Sequence, residues 1–383
     1  AHAEVAIDVI GGSEITFEGL VQADGNWFDN DVADLNGGDA ANGKDSEFEL
    51  RRAELVLKGK GPGNVEWVVG YDAKADKFLD TNVKYKLGGN SSHFIQLGQY
   101  KQPNSLEELS STKNNDFISK AAVTNTYAVA RRLGGAWGYG QDNWSVTASA
   151  FGRELTRNLA HGSGYGARGT FAPINEKGQV LHFGLSYVAY DTDADTLRVR
   201  ARPNADLATV RLVDSGNMVD TDRVTTLGLE AMYIGGPFKA QGEYYSSKAK
   251  RMANDNYTSD GYYVSGLWNI TGETWGYKGG VPGTGLPDNP ASGMWQLGAR
   301  YDHMDLNDGN LSANPVAGRP PIVDGVLGGK MDIWTVGVNY YWRSNTKFAL
   351  NYVMVDSEKY SSSARGFVND DPNILEARLQ FFW

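Results

Sequence analysis

Three arginines recur at every second position of Leu197-Arg198-Val199-Arg200-Ala201-Arg202-Pro203. In an extended backbone such side chains share one face, about 6.6 Å apart, twice the rise per residue. Arg198, Arg200 and Arg202 would then form a row of permanent cations, with Val199 and Ala201 turned the other way. A guanidinium stays charged and offers five donors in a flat fork that suits phosphate or carboxylate oxygens. The plain alternative is a solvated edge strand whose charges discourage aggregation. Nothing else in the chain has the spacing of a catalytic or metal centre. His2, His93, His161, His182 and His303 are scattered, with no H-E-x-x-H or triad spacing. Gly162-Ser163-Gly164 does not complete G-x-S-x-G. Zero cysteines rule out thiol catalysis and cysteine zinc sites. Asp191-Thr192-Asp193-Ala194-Asp195 resembles the opening of a Ca²⁺ loop, but Thr196 and Arg202 stand where Gly and Glu are needed. The expectation is no enzyme, no cofactor and no metal.

The elements that would carry this row read as strands. The chain has 383 residues, 47 of them Gly, with 20 Tyr and 10 Trp, and no run of 18 apolar residues that could cross a membrane as a helix. Its formal charge of -10 argues against nucleic acid as a partner. An acidic chain with one arginine stripe points to local anion attraction. Residues 1–14 read as irregular, and Ala1-His2-Ala3-Glu4 has no basic, apolar leader, as expected of a chain whose signal peptide has been removed. From Ile15 onward, segments of about 9–13 residues alternate apolar and polar side chains between Gly, Asn and Asp clusters, the mark of strands. Sixteen are predicted, near 15–23, 47–58, 65–74, 80–88, 92–101, 133–140, 144–153, 164–172, 178–190, 223–234, 238–249, 260–271, 294–305, 331–342, 346–356 and 374–383. Their even number, their length near ten and the aromatics at their ends fit a transmembrane barrel. Tight turns such as Gly235-Gly236-Pro237 alternate with long connections at 24–46, 102–132, 191–222, 272–293 and 306–330. The last strand, Leu375 to Trp383, resembles the closing strand of bacterial outer-membrane proteins. No blade-like repeat supports a propeller. The predicted fold is therefore all-β: a 16-stranded antiparallel transmembrane β-barrel with long infolded loops, one domain over residues 1–383.

Several segments together resemble the phosphate-selective porins of Gram-negative bacteria, the porins O and P. They are Phe17 to Asp24, Phe48-Glu49-Leu50-Arg51-Arg52-Ala53-Glu54-Leu55, Gln96 to Tyr100, Gly169 to Pro173, the Arg198–Pro203 stripe, Arg211-Leu212-Val213-Asp214 and Gly242-Glu243-Tyr244. The resemblance implies a homotrimer of 16-stranded barrels in the outer membrane, among lipid and lipopolysaccharide. It implies infolded loops around an arginine-lined constriction, with lysines along the vestibules. On it, Arg198, Arg200 and Arg202 match the family's triple, Arg211 its next member, and Arg51 and Arg52 the pair on the second strand. Lys120 stands where the family has another arginine, and Leu20 replaces a first-strand arginine. Lys101 and Glu54 fall where members carry the residues that tune phosphate against diphosphate. Strand alternation predicts that Arg52 and Glu54 face the lumen, and that Arg51 joins them only through a bulge or twist.

The expected function is a passive channel for inorganic phosphate, diphosphate or polyphosphate, with a general, sugar or carboxylate porin as the alternative. Arg198, Arg200, Arg202, Arg211, Arg51, Arg52 and Lys120 are the candidate ladder. Lys74, Lys77, Lys84, Lys86, Lys101 and Lys113 are candidates for gathering anions at the mouths. Lys120, Arg131 and Arg132 share the 102–132 insertion with Glu107, Glu108 and Asp116, acids that could hold it against a basic wall. A sugar pathway would instead need an aromatic track, for which Tyr244, Tyr245 and Tyr263 are the candidates.

Overall fold

A computed structural model describes residues 5–9, 13–37, 45–156 and 162–383 of the chain. Sixteen long strands make one closed antiparallel sheet. They are β1 Ser13–Asp29, β2 Ser46–Lys60, β3 Val65–Asp72, β4 Lys77–Lys86, β5 Phe94–Lys101, β6 Arg131–Gln141, β7 Trp144–Phe151 and β8 Gly164–Glu176. Then follow β9 Gln179–Asp191, β10 Thr221–Gly235, β11 Phe238–Arg251, β12 Tyr257–Asn269, β13 Met294–Ser312, β14 Ile322–Trp342, β15 Thr346–Ser361 and β16 Asn373–Phe382. Each pairs with its sequence neighbour, and β16 closes on β1 from Leu20↔Phe382 to Asp29↔Asn373. Closure leaves no long unpaired edge, which hydrocarbon would penalise.

The period-2 pattern sorts the side chains. On β10, Leu227, Leu229 and Tyr233 point outward, while Thr226, Glu230 and Met232 are buried inside. An apolar outer face suits lipid, and the polar residues must then meet one another within the barrel. Aromatic pairs ring the end bearing most tight turns, among them Trp295 with Tyr340 at 4.4 Å and Phe238 with Trp268 at 5.9 Å. Trp27 meets Phe48 near the other end.

All sixteen predicted segments are strands, with differences at the margins. Residues predicted to be irregular include a strand, Val5–Val9, which pairs with the start of β1; residues 1–4 and 10–12 lie outside the described ones. β1, β13 and β14 run further than predicted, so the 24–46 and 306–330 connections shrink to 30–45 and 313–321. The 102–132 and 191–222 connections lie at the loop end, as alternation required, but 272–293 does not. It follows an even-numbered strand, so it belongs to the turn end. There it forms a second hairpin, Trp275–Lys278 with Val281–Thr284, whose Trp275 is buried beside Leu106 and Phe117. Apolar and aromatic residues in this segment draw it into the barrel, where a solvent-exposed turn would have left them wet.

Candidate anion pathway

Two loop-end connections fill much of the lumen. The first, residues 102–130, carries two short helices, α1 Leu106–Leu109 and α2 Ala122–Tyr127. Ser105 caps α1, accepting from the Glu108 amide at 3.1 Å. The carboxylate of Glu243, buried on β11, accepts from the amides of Leu106 at 2.7 Å and Glu107 at 3.1 Å. It also accepts from the hydroxyls of Tyr263 at 2.7 Å and Tyr245 at 2.9 Å. Further along, Lys239 pairs with Asp116 at 2.7 Å, Lys347 donates to the Asn115 carbonyl at 2.7 Å, and Arg300 donates to the Ser119 carbonyl at 2.9 Å. The Ala122 amide donates to Asp302 at 3.0 Å. The loop is thus fastened to β11, β13 and β15. Glu107 and Asp116 hold it to basic wall residues, as their position in the sequence suggested; Glu107 lies 3.7 Å from Arg300.

The second connection, residues 192–220, carries the arginine stripe. Arg200-Ala201 pairs with Val213-Asp214, so the segment is extended and the alternation holds. Arg198, Arg200 and Arg202 are exposed, whereas Ala201, Ala205, Leu207, Leu212 and Val213 are buried. The apolar side packs on inward residues of the wall, including Met304, Met331, Ile333 and Val353. The arginine face therefore looks away from that wall, across the lumen. Asn204 donates to Asp302 at 2.8 Å, the same carboxylate that receives the Ala122 amide, so one wall residue ties down both loops.

Opposite lies the second strand. The β1–β2 register slips between Gln22 and Ala23: Gln22 faces Arg52, Ala23 faces Leu50, and Arg51 is the extra residue. Of the two departures that alternation left open, bulge or twist, this is a bulge, and it brings Arg51 to Asp206 of the second loop. Its Nε and one terminal nitrogen both lie 3.2 Å from Oδ2 of Asp206 on the second loop. Arg52 donates to Gln22 at 2.8 Å and sits 3.5 Å from Glu54.

Two cavities that share lining residues lie along β1–β5, past the first loop, and form the candidate path. Its loop-end part is lined by Arg51, Arg52, Lys77, Lys120 and Arg131 with Glu54, Asp72, Glu108 and Glu154. Its turn-end part is lined by Lys58, Lys101, Lys113 and Arg131 with Glu18, Glu54 and Asp80. The two share Glu54, Leu79, Thr112 and Arg131. Cations outnumber acids along the path, although the whole chain carries -10. Confinement and a Debye length of roughly 8–10 Å let the local sign dominate inside.

Most of these cations are already paired. Arg198 holds Asp214 through two bonds of 2.8 and 2.5 Å. Lys120 meets Glu108 at 2.5 Å, with Lys101 3.9 Å from the same carboxylate, and Arg131 meets Asp80 at 2.6 Å. Burial alone would raise Glu108, but Lys120 and Lys101 overcome it and hold the acid at about 2. Asp206 likewise falls to about 2: burial opposes the shift, and Arg51, Arg52 and Arg378 impose it. Arg200 and Arg211 make no ion pair or side-chain hydrogen bond among the described residues. Burial, then the charges of Arg202 and Arg200, push the Arg211 guanidinium below its ordinary range. Crowded like charges of this kind are relieved by an anion.

The remaining candidates are dispersed. Lys74 pairs with Glu49 at 2.6 Å on the loop-end rim. Lys84, on β4 near the turn end, lies 4.2 Å from the Phe94 ring centroid, beside Lys86, which pairs with Glu66. Lys113 lies 5.9 Å from the Phe382 ring centroid. Leu20, the missing rung, is buried with Met294, Tyr341 and Phe382. Arg132 is buried and donates to the Gly152 carbonyl at 2.8 Å. His182 bonds Tyr277 and Glu230 inside, and His303 bonds Asp332 on the outer face; His2 and His161 lie outside the described residues.

A profile described as phosphate-selective porin O and P matches residues 21–383. The chain belongs to the phosphate-selective porin O and P family. It is 30% identical to Porin O of Pseudomonas aeruginosa over 237 residues, a match spanning 56% of this chain and about half (52%) of that protein. An uncharacterized protein of Caulobacter vibrioides is 28% identical over 356 residues, covering 87% of this chain and 67% of the relative. Among solved structures, the anion-selective porin from Comamonas acidovorans superposes with a TM-score of 0.58 at 13% identity, over 97% of this chain and all of that one. OmpT of Vibrio cholerae does so at 0.59 and 11%, over 99% of this chain and 100% of that one. These structural likenesses show the fold, and the family match places the barrel in the bacterial outer membrane. The acids of this porin that pair with the ladder, above all Asp206, were invisible as such in the sequence. Asp206 and Arg51 are 155 positions apart, and only the infolding of a loop brings them together.

Proposed function

We propose that this porin is a passive anion channel whose preferred cargo is phosphate, diphosphate or polyphosphate, and that it works as a homotrimer. The observation that carries the reading is the cluster of Arg198, Arg200, Arg202 and Arg211 on an infolded loop. Its Arg202 feels the charge of Arg51 on the second strand, and Asp206 of the same loop bonds Arg51. Phosphate is strongly hydrated, and a narrow path must strip part of that shell. Guanidinium forks replace the lost water with charge-assisted bonds. Arranged as successive rungs, they let the ion move on, because each site holds it only briefly. Lys120, Arg131, Lys101 and Lys113 continue the series toward the turn end. The anion-selective porin from Comamonas acidovorans supports the same sign of selectivity, and a trimer form of Vibrio cholerae OmpT supports the assembly.

A sugar or carboxylate porin would need an aromatic track along the path. Tyr245 and Tyr263 lie buried beneath the first loop, bonded to Glu243, and Tyr244 points outward to Asp260. This arrangement favours the anion reading. The test is reconstitution in a planar bilayer under a KCl gradient, followed by titration of phosphate against the chloride current. Anion selectivity with block at low phosphate supports the proposal; cation selectivity, or indifference to phosphate, removes it.

A further inference from the structure

We propose that the Asp206 carboxylate is a resident, tethered anion of the conduction path: it occupies the rung at Arg51 that a travelling oxyanion must take, and its displacement sets how tightly the pore holds phosphate. The inference rests on the anion-channel reading above and adds a residue that tunes it.

The geometry is that of a bound oxyanion. Two nitrogens of Arg51 converge on Oδ2 at 3.2 Å, and the Ser119 hydroxyl donates to Oδ1 at 3.2 Å. A guanidinium and a hydroxyl on neighbouring oxygens would hold a phosphate in the same way. Arg52, Arg378 and Arg202 all act electrostatically on this carboxylate. The place is also built. Arg51 reaches it only through the bulge in β2, and Asp206 lies between the buried Ala205 and Leu207. The backbone is held between buried residues while the carboxylate hangs on a single methylene. Arg200 and Arg211, by contrast, make no ion pair or side-chain hydrogen bond among the described residues, although Asp214 acts on Arg211 at longer range. In this scheme the unpaired guanidinia of the second loop capture an anion, and the paired Arg51 is where it must be exchanged.

Exchange has a physical advantage. When phosphate takes the Arg51 rung, the carboxylate swings away; when phosphate leaves, the carboxylate returns. Arg51 is never left desolvated and unpaired, so departure does not carry the cost of a bare buried charge. A ladder of unpaired arginines would bind more tightly and conduct more slowly.

The test is Asp206→Asn in the full-length porin, read in planar bilayers. Asparagine retains an oxygen for Arg51 and Ser119 but loses the charge. Phosphate should then block the chloride current at a concentration at least tenfold lower than in wild type, and the current carried by saturating phosphate should fall. Arg51→Gln in the same background should return block to within about threefold of wild type. Ser119→Ala, which loosens the carboxylate without changing charge, should shift block in the same direction by a smaller factor, and serves if the first variant does not assemble. Block unchanged within twofold in Asp206→Asn, or in Ser119→Ala where that variant is the one read, overturns the proposal while wild-type block still stands. If wild type is itself indifferent to phosphate, the anion-channel reading has failed instead. In that case, an Asp206→Asn reversal potential in KCl that does not move toward the chloride limit overturns the resident-anion role as well.

Discussion

Replacing Arg200 and Arg202 with alanine tests the capture site most sharply, because the two differ from Arg198 in their pairing. Arg198 is neutralised by Asp214 through two short bonds, whereas Arg200 has no ion pair among the described residues and Arg202 donates from Nε to the Ala208 carbonyl at 2.7 Å. A hydrogen bond to a charged group contributes about 1.5–3 kcal/mol net. The stripe is exposed, so solvent screening reduces this to about 1 kcal/mol per guanidinium for a captured phosphate. At about 1.4 kcal/mol per factor of ten, that is about fivefold each and about 25-fold for the pair. Arg198→Ala combined with Asp214→Asn removes one charge of each sign and should change block by less than about threefold. The assay is the phosphate concentration that halves the chloride current through single channels, with heat-modifiable migration as the check that the barrel has assembled. If the double variant stays within twofold of wild type while folded, the stripe does not capture anions. If the charge-neutral pair weakens block as much as Arg200→Ala does, the compensation argument is wrong.

Three further outcomes follow from the same structure. Glu243→Ala strips the acceptor from the Leu106 and Glu107 amides and the Tyr263 hydroxyl, at roughly 1–3 kcal/mol for each buried donor left unpaired, while Tyr245 keeps the Asn104 carbonyl. The first loop should loosen, visible as open-channel noise and protease cleavage between residues 102 and 130, and a quiet, resistant variant would contradict the anchoring role. Replacing residues 273–288 with a Gly-Ser turn removes Trp275 and Tyr277 from the lumen and should at least double the single-channel conductance, a result that an unchanged conductance would refute. Asp206 and Glu108 are held below the ordinary carboxylate range, so their contribution to loop docking is complete above about pH 4 and is lost as pH falls toward 2. Channel noise measured from pH 5 to 2 should stay flat down to about pH 4 and rise below it; a rise centred near neutrality would assign loop docking to other groups.

The strands were legible because membrane-spanning sheet imposes alternation on each segment, and several of the sixteen carry it cleanly. The bulge at Arg51 was legible for the same reason. Two adjacent arginines cannot share a face, and the aliphatic Ala53, Leu55 and Leu57 fix which one is inward, so Arg51 needed an irregularity. What the sequence hid was long-range. Asp206 reads as an ordinary loop acid until infolding sets it against Arg51, whereas Glu108, an expected anchor of its loop, pairs with Lys120 of the same loop. Length alone does not mark the loop end: strand parity puts the hairpin Trp275–Thr284 at the turn end, and its apolar Trp275 goes inside. Tyr244 and Tyr245, neighbours on one strand, point apart, so they cannot share one track.

The central claim is that arginines on an infolded loop, facing Arg51 and Arg52, make a channel of an acidic protein select anions. The reversal potential of the wild-type porin in a tenfold KCl gradient, repeated with millimolar phosphate on one side, addresses it directly. A potential near the chloride limit, with the chloride current suppressed by phosphate, is the predicted result. A potential near the potassium limit, or a chloride current untouched by phosphate, would contradict it.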